Sequence, residues 1–146
     1  FPALGPVLSM VYLARFAENL STLVGGGIPI VLALDITGNV VGNTVYQRIV
    51  HEARDEVKKG KNISEVLQKY PTEFPHIFTQ MVLVGEKSGT LDTSLLNIVG
   101  FYQKEVARTV DSFLSLIEPL LIVVLGLMVG GLMAAVLLPL YQISSL

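Results

Sequence analysis

The residues of this chain best suited to proton transfer or to holding a metal ion are two histidines, His51 and His76, and the carboxylates Glu52, Asp55 and Glu56. The histidines lie far apart, and neither belongs to a His-Glu-x-x-His pattern, which would put two imidazoles and a glutamate base on one helix. His76 follows Pro75 at an expected helix start, so both histidines read as surface or internally satisfied side chains. The carboxylates are hard oxygen ligands of the kind calcium or magnesium takes, but no segment has the spacing of a calcium-binding loop. With Arg48, Arg54 and Lys59 interleaved, they read as a solvated charged helix face. The glycine run Gly25–Gly27 lacks the GxxxxGK[ST] pattern of a phosphate loop and sits between two helical stretches, so no nucleotide site is expected. There is no Cys, which excludes disulfides, thiolate metal sites and a cysteine nucleophile. The expectation is a non-enzyme with no catalytic residue, no metal and no cofactor. A membrane-tethered hydrolase would need two carboxylates converging in one pocket.

Two other features are more informative. The first is the stretch GEKSGTLD, from Gly85 to Asp92, where one helix must reverse into the next. Gly85 admits a neighbouring backbone, Gly89 supplies the helix-ending conformation, and Glu86 is free to accept from loop N–H groups or to pair with a basic partner. The second is a row of small residues in the apolar C-terminal run. Gly126 and Gly130 form a GxxxG extended by Ala134, with Gly131 and Ala135 one residue along, a pattern that lets helices approach closely in lipid. The basic cluster Lys58, Lys59 and Lys61 reads as a solvated loop, with anionic lipid or an acidic partner as the functional alternative.

These features need helices to position them. Leu13, Phe16, Leu20 and Leu23 recur at three- and four-residue steps, predicting a helix from about Ser9 to Val24 that the glycine run ends. Pro29 suits the start of a short buried helix leading to Gly38. Asn43 caps a third helix, with Val45, Ile49, Ala53 and Val57 on its apolar face and Gly60 at its end. Asn62 and Glu65 resemble a capping box opening a short fourth helix. After a turn from Pro71 to Pro75, a fifth helix carries Ile77, Phe78, Met81 and Val82. A sixth starts near Thr90 or Asp92, with a buried stripe of Leu91, Leu95, Ile98, Tyr102, Val106, Val110 and Phe113. The fold class is all-α, an antiparallel six-helix bundle whose last long helix continues into a C-terminal transmembrane helix.

No Asp, Glu, Lys or Arg follows Glu118, and Pro119–Leu140 is apolar nearly throughout. About 20 such residues cross a bilayer. A buried core helix would keep a polar face, which this run lacks. Lys104 and Arg108 precede the span and no basic residue follows it, so the positive-inside rule places the domain in the cytoplasm and the C-terminus on the far side. Tyr141 fits the aromatic belt. Glu118, ionisable at the mouth of the span with Pro119 beside it, is a candidate functional residue, with a hydrated boundary charge as the plain alternative. A net charge of −2 gives no footprint for nucleic acid. The expected organisation is an exit from an upstream span or a linker over 1–8, a helical domain over 9–118, the span over 119–140 and a short tail over 141–146. The first residue is Phe1, not Met, so the chain is expected to continue something upstream.

The stretches Phe16–Leu34, Gly60–Leu67, Phe74–Phe78, Val84–Asp92 and Glu118–Ile122 together make the chain resemble the type II secretion system protein F family, whose members serve type II secretion systems and type IV pili. The resemblance covers nearly the whole chain. It implies the second of two related cytoplasmic helical domains plus the last of three spans in the bacterial inner membrane. It further implies an oligomeric assembly platform that contacts a hexameric pilus or secretion ATPase, pilin or pseudopilin subunits and other inner-membrane assembly proteins. On this reading Gly85, Glu86, Gly89, Leu91, Glu118 and Pro119 are the motif or partner residues, while Gly126, Gly130, Gly131 and Ala134 pack the span. An oligomeric channel or transporter module is the alternative, and it would require polar residues along one side of the span.

Overall fold

The computed structural model of the chain describes residues 4–145. Among these residues it is all-α, with six helices and no strand: α1 (Leu4–Gly25), α2 (Ile30–Val40), α3 (Thr44–Lys58), α4 (Ile63–Leu67), α5 (His76–Ser88) and α6 (Leu91–Ser144). Residues 1–3, part of the expected exit from an upstream span, and Leu146 of the expected tail lie outside the described residues. One compact unit ends at Ala107 and a second begins at Arg108.

In the first unit the predicted stripe of α1 is the centre of the core, with Leu13, Phe16, Ala17 and Leu20 fully buried. The helix starts earlier than the spacing suggested, at Leu4, because Pro6 falls in the first turn, where a missing N–H needs no partner. Phe16 meets Phe74 edge to face at 5.5 Å and Phe78 at 5.7 Å, and those two rings lie 5.3 Å apart. Tyr46 of α3 joins at 5.5 Å from Phe74, and Tyr102 of α6 at 6.0 Å from Phe78. Burial raises the pKa of both tyrosines, and the Tyr46 hydroxyl donates to the Glu73 carbonyl at 3.2 Å. One aromatic cluster thus draws on α1, α3, α5, α6 and the turn before α5. Phe74, fully buried, comes from a segment that reads in sequence only as a turn.

Helix directions follow from residue pairs. Ser21 of α1 donates to the Asp92 carbonyl at the start of α6, whereas Val11 and Ala14 share a cavity with Gln103 and Val106, so α1 and α6 run antiparallel. Likewise Gly85 abuts Ser94 while Phe78 reaches Tyr102, so α5 is antiparallel to α6.

Several faces differ from expectation. Asn43 caps α3, its Oδ1 accepting from the N–H groups of Val45 and Tyr46 at 2.8 and 3.3 Å. The buried side of α3, however, is Tyr46, Ile49, Val50 and Ala53, because Tyr46 turns inward to the rings and Val45 outward. On α5 the buried residues are Phe78, Thr79, Val82 and Gly85, leaving Ile77 half exposed. The buried stripe of α6 stops at Tyr102; Val110 and Phe113 are exposed. Gly38 does not end α2. It lies inside that helix, where a Cβ would stand 2.7 Å from Cδ2 and Nε2 of His51. His51 is therefore not a free surface histidine: its Nε2 is buried and, among the described residues, without a hydrogen-bond partner.

The charged face of α3 is solvent-accessible as expected, and some of its charges also pair with neighbouring segments. Arg54 pairs with Asp35 of α2 and with Asp55. Glu56 draws in Lys59 at 3.2 Å and Lys61 at 2.9 Å. Glu52 accepts from Lys69 at 2.8 Å and from the Tyr70 hydroxyl, pinning α3 to the residues after α4.

In the second unit α6 continues through Pro119 and Pro139. It holds the one segment among the described residues long and apolar enough to cross a membrane, and none of that segment is buried against the chain. A soluble core helix would be covered.

Two outcomes are expected. Phe78→Ala removes the ring shared by three neighbours and should lower unfolding stability by about 3–5 kcal/mol, read from denaturant melts of the chain in micelles. Hydrogen bonds from Lys69 and Tyr70 hold the Glu52 carboxyl below the usual range. Its contribution is therefore present above the unfolded value of roughly 4.3 and is lost as pH falls through the lower folded value. Glu52→Gln should cost about 1 kcal/mol or less at pH 7, with the gap between wild type and variant closing as pH falls through the lowered folded value.

Candidate functional site

Three helix-to-helix connections gather at one end of the first unit, and all three are built the same way. In each, a glycine just past the helix adopts a left-handed conformation: Gly27 at φ 86°, Gly60 at φ 93° and Gly89 at φ 70°. In each, the next N–H reaches back five residues: Ile28 to the Leu23 carbonyl at 3.0 Å, Lys61 to Glu56 at 3.1 Å and Thr90 to Gly85 at 2.9 Å. This double requirement of a left-handed residue and a long backward bond is the Schellman ending, which satisfies carbonyls the helix leaves open. The C-termini of α1, α3 and α5 therefore finish side by side, and α2, α4 and α6 start there.

Between these connections lies a cleft of about 340 Å³. Its apolar floor includes Val24, Ile30, Val57 and Leu91, all partly buried against the core. Its rim carries Lys61, Asn62, Glu86 and Asp92. A larger groove of about 520 Å³ is lined from Thr44 to Asp55 by α3 alone, an open shelf along one helix. The smaller cleft is the better candidate because separate segments converge on it.

Four of the predicted site residues line this cleft: Gly85, Glu86, Gly89 and Leu91. Gly85 sits where α5 and α6 nearly touch, since a Cβ there would be 2.7 Å from Ser94 Cβ and 3.0 Å from Leu91 Cα. Ser94 closes the contact by donating to the Met81 carbonyl at 2.9 Å. Glu86 turns back into the domain. Its two carboxylate oxygens accept from the N–H groups of Ile63 and Ser64, each at 2.8 Å. The capping box expected at Asn62 does not form, because the Asn62 side chain makes no cap hydrogen bond. An ionised carboxylate outcompetes a neutral amide for two N–H groups at a positive helix end.

Glu118, Pro119, Gly126, Gly130, Gly131 and Ala134 belong to the second unit, so the sequence's two groups of site residues fall in separate units. Nothing lies within 4 Å of a Cβ built on Gly126, Gly130 or Gly131. Sequence reasoning named Lys61 in a basic cluster and Asp92 at the end of the Gly85–Asp92 stretch, but did not bring them together with Val24, Ile30 and Val57 in one cleft. Their signal was the repeated glycine after a helix, read at each site as punctuation and not as a shared location.

The family described as "Type II secretion system (T2SS), protein F" matches residues 16–139. The chain is 39% identical over 142 residues to type IV pilus assembly protein PilC of Thermus thermophilus, covering 97% of this chain and 35% of that protein. It is 39% identical over 145 residues to type IV pilus assembly protein TapC of Aeromonas hydrophila, covering 99% and 35%. It is 36% identical over 142 residues to type II secretion system protein F of Xanthomonas campestris pv. campestris, covering 97% and 35%. The chain thus spans roughly a third of the length of these curated relatives.

Glu86→Ala leaves two N–H groups of α4 without acceptors and should destabilise the first unit by about 1–3 kcal/mol. Hydrogen exchange should speed up at Ile63 and Ser64, and Glu86→Gln should fall between the two. Unchanged protection at both amides would remove Glu86 as the cap of α4.

Proposed function

Because the chain belongs to the type II secretion system protein F family, we propose that it forms part of an inner-membrane assembly platform. In this reading the platform couples a cytoplasmic assembly ATPase to the insertion of pilin or pseudopilin subunits into a filament. The observation that carries it is the match over residues 16–139, joined to relatives named for pilus assembly over nearly all of this chain. The pilus branch is favoured over the secretion branch. Relatives with pilus-assembly names are 35–39% identical, and those with secretion names are 28–36% identical.

The helical domain over 9–118 faces the cytoplasm and the span over 119–140 anchors it, with the tail over 141–146 on the far side. The charge pattern around the span supports that orientation, since Lys104 and Arg108 precede it and no cation follows. The role is mechanical and not catalytic: ATP hydrolysis belongs to the partner, and this chain transmits and positions. Gly85, Glu86 and Gly89 hold the corner at the cleft, and Leu91 presents apolar surface there. Glu118 and Pro119 stand at the mouth of the span, where the carboxylate orients an incoming subunit. The open face of Gly126, Gly130, Gly131 and Ala134 packs against other spans of the platform, including further copies of the protein.

Full-length protein reconstituted with the candidate ATPase, and carrying photo-crosslinkers at Lys58, Lys61 and Lys87, should crosslink to it. Absence of any ATPase or pilin adduct would sink the platform reading. Glu118→Gln should reduce filament assembly and subunit crosslinking while leaving membrane insertion intact. Unchanged assembly would exclude the proposed role of Glu118.

A further inference from the structure

The charges around the cleft are not equally available. Glu86 spends both carboxylate oxygens on the N–H groups of Ile63 and Ser64. Lys61 is drawn onto Glu56 at 2.9 Å. Asp92 differs: among the described residues its carboxylate has no ion pair or hydrogen bond, although its backbone carbonyl accepts from Ser21 at 3.0 Å. It sits in the first turn of α6, where the helix end supplies partial positive charge but no counter-cation. Directly beside it lies the floor of Val24, Ile30, Val57 and Leu91. The cleft therefore offers apolar surface and one uncompensated negative charge, the two halves of a site for a long basic side chain with an apolar neighbour.

We propose that this cleft docks a basic, apolar segment of a protein partner, with an Arg or Lys placed on Asp92 and an adjacent aliphatic residue on the floor. The aliphatic stem of the basic residue would run along Val24 and Leu91 while its head remains at the hydrated rim. Gly25 borders the same place, since a Cβ on it would sit 3.9 Å from Asp92 Cβ and Oδ2. The proposal rests on the platform reading only in taking the occupant to be a protein segment. It does not depend on which partner supplies that segment.

The test uses the full chain in nanodiscs and three fluorescein-labelled peptides: Gly-Leu-Arg-Leu-Gly, the same peptide with Glu for Arg, and the same peptide with Ala for both Leu. Anisotropy should show saturable binding of the first and several-fold weaker binding of the other two. Asp92→Asn should weaken the Arg peptide about fivefold, the size of one partly screened charge pair. Asp92→Lys should reverse the preference toward the Glu peptide. Gly25→Phe, which fills the cleft without removing a charge, should block all three, and it keeps the test decisive if the Asp92 variants fold poorly. No saturable binding of the Arg peptide, equal binding of the Arg and Glu peptides, or indifference to both Asp92→Asn and Gly25→Phe would each overturn the proposal. Self-association that depends on Asp92 and excludes the peptide would overturn it in favour of a second copy of the chain. Peptide binding without ATPase crosslinks would leave the cleft's chemistry standing and remove the platform reading; the reverse result would do the opposite.

Discussion

The contact among Phe16, Phe74 and Phe78 governs what the first unit can be. These rings come from α1, from the turn before α5 and from α5 itself, and each is fully buried. Tyr46 and Tyr102 extend the cluster to α3 and α6. The rings hold α1, α3, α5 and α6 together, and with α1 and α5 both antiparallel to α6 the end at which those helices reverse is set. The alignment of three helix C-termini at the cleft is then a result of core packing at some distance from it. Edge-to-face ring contacts add modest specificity beyond the area they bury, which suits a core that must hold helices in one register.

Much of the fold was readable from local chemistry. The stripe of α1, the Asn43 cap, the glycine stops after α1, α3 and α5 and the uncharged C-terminal run are all properties of a few consecutive residues. What was not readable depended on partners distant in sequence. Asn62 has the right neighbours for a capping box, but the carboxylate that wins α4 arrives from Glu86, more than twenty positions away. Gly38 has the look of a helix stop and is instead the place where the His51 ring needs room. Phe74 lies in a proline-bounded turn whose composition gives no hint of a central core position. The charges of α3 form the solvated face their pattern suggests, but their pairing with Asp35, Lys61 and Lys69 depends on segments outside that helix.

The candidate site shows the same division. Gly85, Glu86, Gly89 and Leu91 were visible as a motif, but their roles separate once the neighbours are known. Glu86 faces inward as a cap, Gly85 is a point of contact between helices, and Leu91 with Asp92 forms surface. In the second unit the opposite holds. Its glycines meet no neighbour among the described residues, so no contact in the structure distinguishes their roles.

The three Schellman turns around the cleft are made almost wholly of main-chain bonds and left-handed glycines. Their geometry is insensitive to which side chains occupy the floor between them. Val24, Ile30 and Val57 take no part in those bonds through their side chains, so substitutions that keep their packing against the core would reshape the floor while the rim stays where it is. The frame of the cleft and the surface it offers thus rest on separate sets of atoms, main chain for the one and side chains for the other.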